Sequence, residues 1–105
     1  MAALRADAHE QSSHEEKEAE RIIAVAAKVF GQKTGNWDRM PKGDWRKGVV
    51  AGLIRERALV PNAWVAQRLG MGATGAVSRT IREARDLAAR DRKARRLAQE
   101  LSQIV

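Results

Sequence analysis

Cysteine and tyrosine are absent from this 105-residue chain, and histidine occurs only twice. Without cysteine there can be no disulfide, thiolate metal site or thiol nucleophile, and without tyrosine no phenolic nucleophile. His9 and His14 stand five residues apart in a polar stretch. On a helix that spacing turns them about 140° away from each other, so they do not form a metal pair. Asp38, Asp44 and Asp86 are isolated, with no paired-carboxylate arrangement. No catalytic residue, cofactor or metal site is therefore expected. Long apolar runs are missing as well. The longest, Ile22 to Ala27, has six residues, where a membrane span needs about 20 and a signal peptide about 7–15. These absences predict a cytoplasmic protein with no membrane partner. No segment shows the period-two alternation of a strand.

Positive charge is plentiful. Lys and Arg number 20 against 13 Asp and Glu, for a net charge of +7. The distribution is uneven: residues 1–31 carry a net −2 and residues 32–105 a net +9. Eight cations (Arg79, Arg82, Arg85, Arg90, Arg92, Lys93, Arg95 and Arg96) fall within one 18-residue stretch. A solvated helix face would account for such a run. A polyanionic partner would too, with nucleic acid first.

The apolar periodicity predicts an all-α domain of four or five helices. Residues 1–11 are polar and aperiodic and read as a disordered tail. Ser12 and Ser13, each with a Glu three residues on, mark a helix start. Ala19, Ile22, Ile23, Ala26, Val29 and Phe30 form one stripe, which Gly31 ends. A loop with Trp37 as hydrophobic anchor follows. Asp44 then caps a helix over about 45–58 that bears Val49, Val50, Leu53 and Ile54. Gly48 and Gly52 lie inside this helix, four apart, and predict close approach of another helix. A short helix opens at Pro61 and closes at Gly70. The next carries Val77, Ile81, Ala84 and Ala88 on one face. Residues 86–105 read as a long basic C-terminal helix whose stripe (Leu87, Ala94, Leu97, Leu101, Ile104) either folds back on the domain or forms a homodimer. Folding back is the preferred expectation.

A short helix, a glycine turn and a second helix make a helix-turn-helix at about residues 61–85, within a helical domain of 12–85. Ala66 is small where the helices would meet, and Gly70 stands where the turn needs a conformation that glycine adopts cheaply. Val77 and Ile81 would face the core. Thr74, Gly75, Ser78, Arg79 and Arg82 would then lie on the outer face of the second helix. Hydroxyls and guanidinium groups there suit phosphates and base edges, arginine being bidentate to guanine. Asn62 opens the first helix of the pair. Lys42, Arg46 and Lys47, at the start of the preceding helix, suit phosphates. The glycine-rich run Gly70 to Gly75 lacks the lysine and the preceding strand of a nucleotide-binding loop.

The order of these segments resembles the C-terminal region of REP-associated single-tyrosine transposases. The resemblance rests on Lys42-Gly43-Asp44, a helix ending Leu53-Ile54-Arg55, the run Trp64-Val65-Ala66-Gln67-Arg68-Leu69-Gly70-Met71-Gly72, and Val77-Ser78. It covers roughly residues 15–82, and the run from Trp64 to Gly72 is its specific part. Such transposases cut DNA with a His-hydrophobe-His metal motif and a tyrosine, both missing here. The resemblance thus implies only the accessory DNA-binding portion, with ordinary duplex or a folded repetitive hairpin as target. From residues and resemblance together, we expect a nucleoid-associated, non-enzymatic DNA-binding protein, transposase-related and accessory or regulatory. A protein-interaction or RNA-binding helical module is the alternative.

Overall fold

A computed structural model describes the backbone of residues 2–32 and 34–105 and the side chains of residues 13–32 and 36–105. Among the described residues five α-helices follow one another: α1 (Ala2–Val29), α2 (Trp45–Arg57), α3 (Asn62–Leu69), α4 (Ala76–Arg90) and α5 (Arg92–Ile104), with a 3-10 helix at Thr34–Arg39 between the first two. Among the described residues there is no strand, and no helix is long and apolar enough to cross a membrane. The all-α expectation holds.

The core takes one face from every helix. Ile22, Ile23 and Ala26 of α1 meet Val50 and Ile54 of α2, Val65 and Leu69 of α3, Val77 and Ile81 of α4, and Leu101 of α5. Trp37 anchors the 3-10 segment in the same core, 1% exposed. The inner face of α4 lies chiefly against α2, and α3 touches it more lightly. At the α2–α4 crossing a Cβ on Gly48 would collide with the Thr80 carbonyl oxygen and stand 2.7 Å from the Ala84 Cβ. Glycine there allows backbone to meet backbone. Gly52 is different: its nearest neighbour would be Ile81 Cγ2 at 3.5 Å, an ordinary contact. The close approach expected of both glycines belongs to Gly48 alone.

Two expectations need correction. The segment read as a disordered tail, residues 1–11, is helical from Ala2 on, as the first part of α1. Its alanines, Leu4, Arg5, Glu10 and Gln11 are strong helix formers with no glycine or proline among them, so helix propagates through them without an apolar stripe. Nor does a single helix run over 86–105. The chain breaks at Asp91, whose backbone is extended (φ −120°, ψ 119°). The Asp91 carboxylate accepts a hydrogen bond from the Ala94 N–H at 2.9 Å. The Arg95 guanidinium donates back to the carbonyls of Ala88 and Ala89, at 2.9 and 2.8 Å. One aspartate caps α5 while one arginine satisfies the end of α4. Beyond this elbow α5 turns back onto α1, and Arg57 and Arg21 pin its end through the carbonyls of Ser102 and Val105. Ala94 and Leu101 are buried within the domain and Leu97 is half-buried. Of the stripe considered for a homodimer, Ala94 and Leu101 are thereby covered, Leu87 is half-buried like Leu97, and Ile104 is exposed.

Candidate nucleic-acid interface

The turn between α3 and α4 is built by two glycines. Gly70 ends α3 in the left-handed conformation (φ 64°, ψ 47°). The Met71 N–H donates to the Ala66 carbonyl at 2.8 Å, and the Gly70 N–H to that of Gln67 at 3.4 Å. These two bonds define a Schellman motif, and the buried Met71 supplies its hydrophobic contact. Gly72 also has positive φ (86°). Over it lies the stem of Lys42, whose Cδ is 3.2 Å from where a Cβ on Gly72 would be. Gly75 then starts α4 without a side-chain cap, so Thr74 contributes its carbonyl, which accepts from the Val77 N–H at 3.2 Å.

Helical periodicity fixes what α4 shows to solvent. Val77, Thr80, Ile81 and Ala84 point inward and are buried. Thr74, Gly75, Ser78, Arg79 and Arg82 are all exposed, on the side expected of them. Arg79 is 70% exposed at its side chain, 4.0 Å from Glu83, and Arg82 has no ion-pair partner among the described residues. Asn62 is half-buried at the start of α3.

The cations at the start of α2 behave otherwise. The Asp44 carboxylate caps the helix by accepting from the Arg46 N–H at 2.9 Å. The same carboxylate binds the Arg46 guanidinium through Nε and Nη2, at 2.9 and 3.0 Å. Burial works to raise the Asp44 carboxyl, but the Arg46 bonds prevail and hold it below the usual aspartate range. Lys47 must be corrected outright. It is 0% exposed and cannot meet a phosphate. Its Nζ donates to the carbonyl of Met40 at 3.0 Å and to that of Gly70 at 2.7 Å. Burial pulls this ammonium below the ordinary lysine value, a shift that Asp44 and Asp38 oppose. Lys47 thus ties α2 to the turn that aims α4. Lys42 is exposed.

Two ion pairs link helices, the first close and bidentate, the second looser and exposed. Arg68 of α3 binds Glu20 of α1 in a bidentate bridge of 2.6 and 2.9 Å, and Arg85 of α4 stands 3.7 Å from Glu56 of α2. Sequence reasoning missed Arg55. It lies near the end of α2, is exposed, and donates from Nη1 to the Ser78 hydroxyl at 3.2 Å. No local signal marks it, because the partner is 23 residues away. Arg55, from α2, thereby stands beside the exposed face of α4 that bears Ser78 and Arg82. Among the described residues, no group of three or more His, Cys, Asp and Glu could hold a metal ion. No family model matches the chain, and neither curated proteins nor solved structures yield a match.

Proposed function

We propose that this chain is a non-catalytic DNA-binding module that presents α4 as its recognition helix, in an accessory or regulatory role of the kind the transposase resemblance implies. One observation carries the reading: the residues suited to base edges and phosphates, Thr74, Gly75, Ser78, Arg79 and Arg82, share one exposed face, and Arg55 adds to it. The face is held firmly, through the Gly48 crossing, the Lys47 bonds and the Gly70 turn. Arg79 and Arg82 would enter the major groove, with Lys42 and Arg55 as phosphate contacts beside them. Association with the nucleoid would follow. A duplex operator and a folded repetitive hairpin both fit this face.

A salt titration of DNA binding tests the reading. Roughly six to eight phosphate contacts give a log–log slope of about −0.9 per contact between about 50 and 200 mM salt. A flat response would contradict it. Tighter binding of RNA of the same sequence would assign the face to RNA, and no binding to either would favour a protein-interaction module.

A further inference from the structure

A second feature lies at the α4–α5 elbow. A cleft of about 390 Å³ opens between the end of α1, the start of α2 and the elbow, with Phe30, Trp45, Leu87 and Leu97 as apolar walls and Arg46 and Lys93 at its edge. Its size falls low in the range of small-ligand pockets, about 300–1,000 Å³, which suits one planar group rather than a docked helix. Phe30 and Trp45 meet edge to face, with centroids 5.6 Å apart and planes at 81°. Both rings are half-buried, so the pair is fixed in the fold while still reaching solvent.

Basic side chains outnumber acidic ones around this cleft, which Asp91 lines beside Arg46 and Lys93. Arg90, Arg92, Lys93 and Arg96 are exposed at the elbow. The nearby acids are committed elsewhere: Asp91 caps α5 and Asp44 is bonded to Arg46. Aromatic walls beneath a cationic rim are the combination that holds an unstacked base with its phosphate. We propose that this cleft receives one unpaired nucleobase of a nucleic-acid strand, with Lys93 on its flanking phosphate. The choice of a nucleic acid rests on the DNA-binding reading of α4. The cleft itself is separate from that face, since none of Thr74, Gly75, Ser78, Arg79 and Arg82 lines it.

The test measures binding of the full chain to an oligothymidine of about twelve nucleotides and, in parallel, to a duplex of equal length, by fluorescence anisotropy of labelled DNA. Trp45→Leu should weaken single-strand binding by roughly 5- to 150-fold, the loss of one stacked base. Lys93→Gln should weaken it several-fold, and both should leave duplex affinity within about two-fold. Because Trp45 also packs on Phe30, circular dichroism checks its fold. Should Trp45→Leu unfold, the exposed Lys93→Gln decides alone. Duplex binding without single-strand binding, or single-strand affinity unchanged in the folded variants, overturns the cleft and spares the α4 reading. Equally potent displacement by polyglutamate overturns it as well, by showing a site for anions without bases. Binding of neither DNA form overturns both.

Discussion

The start of α2 and the outer face of α4 carry similar side chains and use them in opposite ways. Lys47 of α2 is fully buried on two carbonyl oxygens, and Arg46 is chelated by its own helix cap. Arg79 and Arg82 of α4 extend into solvent. Both regions are cationic in sequence, yet Arg46 and Lys47 are held by the protein's own oxygens and Arg79 and Arg82 are left exposed. A positive charge therefore indicates an interface only where the fold leaves it unoccupied, and the buried cation serves the exposed ones by fixing the turn between them.

The largest expected effect breaks this division at Lys47. Lys47→Ala orphans the carbonyls of Met40 and Gly70, each worth about 1–3 kcal/mol when buried and unpaired, and leaves a void. Urea denaturation should show a loss of about 3–5 kcal/mol. A variant as stable as the parent would mean that the ammonium does not tie the turn. Next comes the α2–α4 crossing. Gly48→Ala forces the Thr80 backbone aside and should cost about 1–3 kcal/mol, despite the better helix propensity of alanine. Gly52→Ala has room for its methyl and should stabilise by about 0.5–1 kcal/mol. Opposite signs four residues apart would sharpen the packing account, and equal signs would break it.

On the exposed side, Arg79→Ala should cost about 1–3 kcal/mol on the preferred DNA and relax sequence preference, with melting temperature unchanged. Lys42→Ala should weaken all DNA similarly and make the salt slope shallower by about one contact. Asp44 gives a smaller, pH-dependent effect. Its carboxyl lies below its unfolded value, so its stabilisation is complete above about pH 4. As pH falls through the lower folded value, that stabilisation disappears. Asp44→Ala should thus cost about 1 kcal/mol at neutral pH and little in strong acid. Thr74→Ala should leave stability nearly unaltered, since its hydroxyl caps nothing.

Much of this was legible in the chain. The stripe of Ile22, Ile23 and Ala26, the cap at Asp44, the left-handed Gly70 and the inward Val77 and Ile81 are local features, set by periodicity and backbone preference. The exposed set on α4 followed from the same periodicity. What could not be read depended on distant partners. Lys47 follows a cap and a tryptophan and looks like surface until the Gly70 carbonyl, 23 residues on, is placed above it. Arg55 has the same separation from Ser78. The elbow at Asp91 had a local sign, an aspartate at a weak point in the stripe, but Asp91 is also compatible with a continuous helix. Its capping role is decided by Arg95 closing on Ala88 and Ala89.

In the proposed function α4 presents the DNA-reading face and Arg46 and Lys47 of α2 do not. Backbone amide shifts of the isotope-labelled chain, followed by nuclear magnetic resonance during addition of duplex DNA, test this directly. The largest perturbations are expected over residues 74–82, with smaller ones at Arg55 and Lys42 and little change at Arg46 and Lys47. Perturbations confined to α1 or α5, or none at a concentration where the chain is folded, would contradict it.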